Sequence, residues 1–147
     1  LNKLVVKKEI IETVSKLVRY HMMPLQLVEQ SASPAAYKRL AHKLSPDTSL
    51  EVLAYVAQAD KQARNAQGGC PLTAPLDGIK IFLENARQLH VERYPEEPVL
   101  RGKDLLDHME PGLPMGQLLQ KAYEIQIEEG ISDREKLKKR VLKTANH

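Results

Sequence analysis

The sequence contains no tryptophan, a single phenylalanine and a single cysteine, Cys70, in 147 residues. A lone cysteine excludes an internal disulfide framework and any zinc site built mainly on thiolates, and it fits a reducing compartment; the expected location is the cytoplasm. One Phe and five Tyr leave little material for a base-stacking platform. No window approaches the roughly 18 uninterrupted apolar residues of a membrane-spanning helix, so no membrane partner is expected, and the N-terminal stretch is too charged for a signal peptide. Period-two alternation with β-branched enrichment is missing too, which removes the signature of strands. What remains is ordinary for a globular chain, with 42% apolar and 28% charged residues. The net charge of +3 is too weak by itself to assert nucleic-acid binding.

The apolar residues recur with helical spacing. Ile10, Val14, Leu17, Val18 and His21 trace one stripe, expected to be buried, on a helix that ends before Pro24. Ser33-Pro34 opens a second helix through about Leu44, and Ser45-Pro46 breaks it. Thr48 and Glu51 form a capping-box pattern ahead of a third helix carrying Leu50, Leu53, Ala57, Asp60 and Arg64 on one face. A Gly-Pro loop over 68–75 follows, then a helix from about Leu76 with Ile79, Leu83, Ala86 and His90 on its face. Pro95 and Pro98 mark residues 94–101 as a linker. Beyond it we expect a short helix over 102–109, a Pro111-Gly112 turn, a helix with Met115, Leu118, Leu119, Ala122 and Ile125 inward that stops at Gly130, and a charged last helix from Asp133 that buries Leu137 and Val141. Ser132 and Glu135 suggest a second capping box there. The expected fold is therefore all-α, a multi-helix bundle over 1–93 followed by a smaller helical subdomain over 102–147. The chain starts at Leu1 without Met and its helical periodicity begins at once, so a fragment of something longer is expected.

Charge is unevenly spread. Residues 1–44 carry 8 basic and 3 acidic side chains, residues 45–131 carry 8 and 14, and residues 132–147 carry 6 and 2. Basic ends of this kind either bind backbone phosphates or form solvated helix faces, and composition alone favours the second. Two polar residues occupy positions where the helical pattern asks for apolar ones, His21 and Asp60, and both should point inward from neighbouring helices. Imidazole and carboxylate suit a divalent cation that activates water for phosphate hydrolysis. The plain structural alternative is an Asp60–Arg64 pair one helical turn apart and a satisfied helix-end histidine. Two ligands are too few, the other histidines show no paired spacing, and hydrolysis by this chain alone is not expected. Cys70 lacks the basic surroundings of a nucleophile, Gly68-Gly69 lacks the lysine of a phosphate-binding loop, and Asp104, Asp107 and Glu110 read as helix surface charge. The Gly-Ser and Asp-x-Asp pattern that holds two metals in a nucleotidyl transferase is absent.

Residues 100–141, LRGKDLLDHMEPGLPMGQLLQKAYEIQIEEGISDREKLKKRV, resemble the C-terminal region of bacterial tRNA nucleotidyltransferases, the CCA-adding enzymes, and of their poly(A) polymerase relatives. The pattern falls here on Gly102, Asp104, Leu105, Gly112, Pro114, Gly116, Leu119 and Gly130. Upstream, AQADKQARN, with Asp60, and LVRYHMMP, with His21, look similar to the HD-type region that some of these enzymes carry, so the resemblance spans roughly residue 14 to the C-terminus. It implies a parent enzyme that adds C, C and A to tRNA 3′ ends from CTP and ATP with Mg2+, through an N-terminal catalytic region whose motifs this chain lacks. The chain itself would be catalytically silent, need no cofactor and help hold tRNA by its phosphate backbone. Lys136, Lys138, Lys139, Arg140 and Lys143 are the candidate phosphate contacts, and His21 and Asp60 a partial HD-like metal site. The alternative is the C-terminal part of an HD-type metal-dependent phosphohydrolase.

Overall fold

The structure, a computed structural model, describes residues 3–68 and 77–145, and every regular element among them is helical. The chain divides into two compact units, Leu1–Glu96 and Glu97–His147. The first contains α1 (Lys3–Tyr20), α2 (Met23–Glu29), α3 (Pro34–Leu44), α4 (Leu50–Gln67) and α5 (Asp77–Gln88). The second contains a 3-10 turn (Gly102–Asp104), α6 (Leu113–Glu129) and α7 (Arg134–Ala145). The protein is all-α, and no helix among the described residues is long and apolar enough to cross a membrane. The Gly-Pro loop and Cys70 lie outside the described residues.

In the first unit the scarcity of aromatic rings is met by aliphatic packing around one ring pair. Phe82 of α5 is fully buried and stacks on Tyr37 of α3 with centroids 5.3 Å apart. Leu40 and Leu44 of α3, Leu50, Leu53 and Ala57 of α4 and Ile79 and Ala86 of α5 close around it. Asn85 Nδ2 donates to the Tyr37 hydroxyl at 3.0 Å, so the buried phenol keeps a polar partner. The α4 start differs from the capping-box expectation by one residue. Ser49, not Thr48, caps it: its Oγ accepts from Val52 N at 3.3 Å, while Glu51 N donates to the carbonyl of Glu92 at 2.9 Å. Proline in the first turn also gives a helix of its own over Met23–Glu29, so the chain does not merely stop before Pro24.

The largest correction concerns α1. None of its residues is buried. Val14 and Val18 are 52% and 62% exposed, and Ile10 lies as open to solvent. The helix leans on its unit through Leu17 and Tyr20, with Lys16 Nζ 2.6 Å from Asp47. The stripe has the right period, but the unit contacts α1 along a neighbouring arc. His90 likewise leaves the α5 face: it follows the helix end, exposed, with a φ of 59°.

The second unit is built on a buried amide. Gln126 of α6, 2% exposed, accepts from Val99 N at 2.9 Å through Oε1 and donates to the Glu97 carbonyl at 2.9 Å through Nε2. This clasp holds residues 97–99 extended, and Leu100 and Leu105 then enter a core made with Met115, Leu118, Ala122, Leu137 and Val141. The expected helix over 102–109 is only the 3-10 turn with further turns behind it, since the Asp104 carboxylate accepts from Arg101 N at 2.9 Å and closes the chain tightly. Gly130 ends α6 in the left-handed region at φ 66°, which favours glycine. Asp133, rather than Ser132, caps α7, with Oδ1 accepting from Glu135 N and Lys136 N at 2.9 and 3.2 Å.

Gln126→Ala leaves a carbonyl and an N–H of the 97–99 segment without their side-chain partner, and the expected loss is about 1–3 kcal/mol of unfolding free energy in urea titrations. Glu124→Ala, on the exposed side of the same helix, should change it by no more than about 0.5 kcal/mol.

Candidate functional site

The five basic candidates of α7 do not behave alike. Leu137 and Val141 are fully buried and set the inward face of the helix. Lys136, Lys139 and Lys143, at spacings of three and four, fall on the opposite face and are exposed. The remaining two are engaged. Lys138 Nζ donates to both carboxylate oxygens of Asp107 at 3.2 and 3.1 Å, and Arg140 Nη2 donates to Glu129 Oε1 at 3.0 Å. Three lysines therefore stand in a line, about 10 Å long by the 1.5 Å helical rise, and no ion pair forms at them among the described residues.

The acidic residues of this unit are placed to let that happen. Residues 97–147 carry nine basic and nine acidic side chains, so the unit as a whole is uncharged and only segregation can give it a cationic face. Asp104 caps the 3-10 turn and lies 3.7 Å from Arg134, while Asp107 holds Lys138. These two carboxylates thus hold the turn and a neighbouring lysine rather than forming an acid pair. The hydrogen bond from the Lys138 ammonium holds the Asp107 carboxyl below the ordinary aspartate value.

Three of the positions on which the resemblance over residues 100–141 rests have local structural roles. A Cβ on Gly102 would stand 3.4 Å from Met115 Sδ, Leu105 fills the core, and Gly130 supplies the left-handed end of α6. These three residues shape the scaffold that carries α7; the lysines that project from it are a separate feature.

His21 and Asp60 do approach each other. His21 Nε2 lies 3.9 Å from Asp60 Oδ2, and its Nδ1–H donates to the Val18 carbonyl at 2.6 Å. A ring fixed through Nδ1 presents Nε2 outward, the arrangement seen in metal-ligating histidines. Asp60 Oδ2 also lies 3.2 Å from Arg64 Nε, so the one-turn ion pair forms as well. Among the described residues no cluster of three or more His, Cys, Asp or Glu side chains accompanies this pair. Neither residue is deeply buried: the Asp60 side chain is 39% exposed.

Comparison with known proteins gives no match to a family model, a curated protein or a solved structure.

Because the Asp107 pKa is depressed in the fold, its pairing with Lys138 is complete above the ordinary carboxylate value and is lost as pH falls through the lowered one. A carbon-detected NMR titration should place the Asp107 midpoint below that of an exposed aspartate, and Lys138→Ala should raise it towards the ordinary value. An unchanged midpoint would mean that Lys138 is not held.

Proposed function

We propose that the chain is a tRNA-binding helical region of a tRNA nucleotidyltransferase-like enzyme of the cytoplasm. In this reading it grips the phosphate backbone of tRNA, while CTP, ATP and Mg2+ are handled by a catalytic region outside these residues. The observation that carries the reading is the exposed line Lys136, Lys139 and Lys143 on the outer face of α7. Three lysine ammoniums in a row suit phosphate oxygens, which they contact as point charges without reading bases. The resemblance over residues 100–141 supplies the family, and the scaffolding roles of Gly102, Leu105 and Gly130 support it by accounting for the pattern physically. In this reading Lys138 and Arg140, which already have carboxylate partners, serve phosphate less well than the other three.

One observation favours the hydrolase alternative, the approach of His21 Nε2 to Asp60. A neutral imidazole and a carboxylate facing each other are two acceptors, and a proton or a cation between them turns the contact attractive. The Arg64 ion pair competes for the same Asp60 oxygen, which weakens this reading. Titration calorimetry with Mn2+ decides it: binding that is lost in Asp60→Ala supports a metal site.

For the leading reading, binding of labelled tRNA is measured between about 50 and 200 mM salt. Each duplex phosphate contact contributes about 0.9 to the log–log salt slope, so three contacts weaken binding roughly 40-fold across that range. Lys136→Ala, Lys139→Ala and Lys143→Ala combined should flatten the slope by between two and three units, whereas Lys138→Ala should change it by less than one. Absence of binding at the lowest salt, or an unchanged slope in the triple variant, would remove the proposal.

A further inference from the structure

The first unit carries a cleft that plays no part in the reading above. It lies where the turn between α2 and α3 faces α5, and its two lobes, of about 220 and 290 Å³, share Ala32, Tyr37 and Asn85. Tyr37 is 3% exposed, and its hydroxyl accepts from Asn85 Nδ2 at 3.0 Å. A phenol that accepts still has its own O–H to donate, and Asn85 still has Oδ1 to accept. Neither is used in a hydrogen bond among the described residues. The walls are apolar, Leu27, Val28 and Ile81 in one lobe and Pro34 and Leu89 in the other, and no charged side chain lines either. Ser31 also lines the larger lobe, with a φ of 49°. It follows the C-cap of α2, Gln30, where Ala32 N donates back to the Leu27 carbonyl at 2.9 Å, a position that helices usually give to glycine. A serine held there costs backbone energy that glycine would not, and such costs collect at ligand sites.

We infer that this cleft binds an uncharged, flat ring that carries an N–H beside a carbonyl, the edge of a pyrimidine base such as uracil. The Tyr37 O–H donates to the ring carbonyl, and the ring N–H donates to Asn85 Oδ1. A ring without that N–H would leave Oδ1 unpaired between apolar walls, so the pair selects for the edge as well as the shape. The stack of Tyr37 on Phe82 at 5.3 Å already fixes the hydroxyl, and little side-chain ordering falls on binding. The lack of a charged lining residue excludes a phosphate or carboxylate from the interior, since a charge there would be desolvated without a partner. Each lobe is smaller than the ~300 Å³ at the low end of drug-sized pockets, which suits a single ring. The inference is independent of the lysine line on α7, which belongs to the other unit.

Uridine titrated into the whole isotope-labelled chain and followed by amide NMR tests this. Saturable shifts are expected at the Ser31 and Ala32 amides and at the Asn85 side-chain NH2, with a Kd on the order of 0.1–1 mM for a ligand of this size. Uridine methylated at the ring N–H should bind at least about tenfold more weakly, because Asn85 Oδ1 then loses its donor. Tyr37→Phe keeps the ring on Phe82 and should weaken uridine by about three- to tenfold. Ser31→Gly should raise Tm, since glycine adopts positive φ freely, and yet weaken uridine, a combination that a purely structural role for Ser31 would not give. No saturable shift up to about 10 mM uridine overturns the proposal. Equal binding of the methylated nucleoside, or equal binding by Tyr37→Phe, overturns it as well. A short oligouridylate that shifts the same residues more tightly than uridine makes the ligand an unstacked base of RNA, and equal affinity makes it a free nucleoside.

Discussion

The second unit depends on a single buried side chain amide. Gln126 lies on the buried face of the last turn of α6, where the helical period asks for a hydrocarbon, and its two polar atoms are taken up by the Glu97 carbonyl and the Val99 N–H. Without that clasp the extended segment before the 3-10 turn would have two backbone groups to satisfy elsewhere, and a buried unpaired group costs more than a hydrogen bond contributes. With it, Leu100 and Leu105 are delivered to the core, Leu137 and Val141 of α7 close on them, and the opposite side of α7 has no choice but to face solvent. The direction in which Lys136, Lys139 and Lys143 point is thus settled by apolar packing on the far side of their helix.

Charge is then sorted by carboxylates rather than by an excess of cations. Exposed ion pairs such as Arg140 with Glu129 add little stability, since solvent screens them and ordering two long side chains opposes their attraction. Their larger effect is on availability. Asp107 and Glu129 occupy Lys138 and Arg140 at the borders of the lysine line, so an uncharged unit still presents a short cationic track. A track of this kind favours phosphate-like anions with an affinity that depends on salt, and carries no sequence information of its own.

The elements of the fold that were legible in the sequence are those set by local rules. Pro34 at the start of α3, Gly130 at the end of α6, and the inward triplets Leu50-Leu53-Ala57 and Met115-Leu118-Ala122 follow from caps and from the 3.6-residue period. Capping boxes misplaced the cap by one residue at both α4 and α7, because Ser49 and Asp133 stand beside the expected residues and compete for the same N–H groups. The engaged state of Lys138 was out of reach, since its partner Asp107 is 31 residues away and a pair that distant depends on tertiary placement. Gln126 was passed over for a similar reason: a polar residue between apolar ones reads as a face boundary until its backbone partners are known. His21 and Asp60 illustrate the converse, an inward expectation from period alone that did bring two side chains near each other while leaving both partly in solvent.

The α1 stripe shows where periodicity stops being informative. It identifies a helix that needs cover without saying what covers it. Lys3, Lys7 and Lys8 place positive charge at the positive end of the helix dipole, and no acidic residue lies in the first turn to offset it. A helix of this length draws most of its stability from packing, and here packing is confined to the end near Leu17 and Tyr20. Its first turns are therefore the part of the first unit with least to hold them, and local opening should begin there. The composition of α1, apolar on the open side and adversely charged at its start, thus leaves the helix dependent on the few contacts it makes through Lys16, Leu17 and Tyr20.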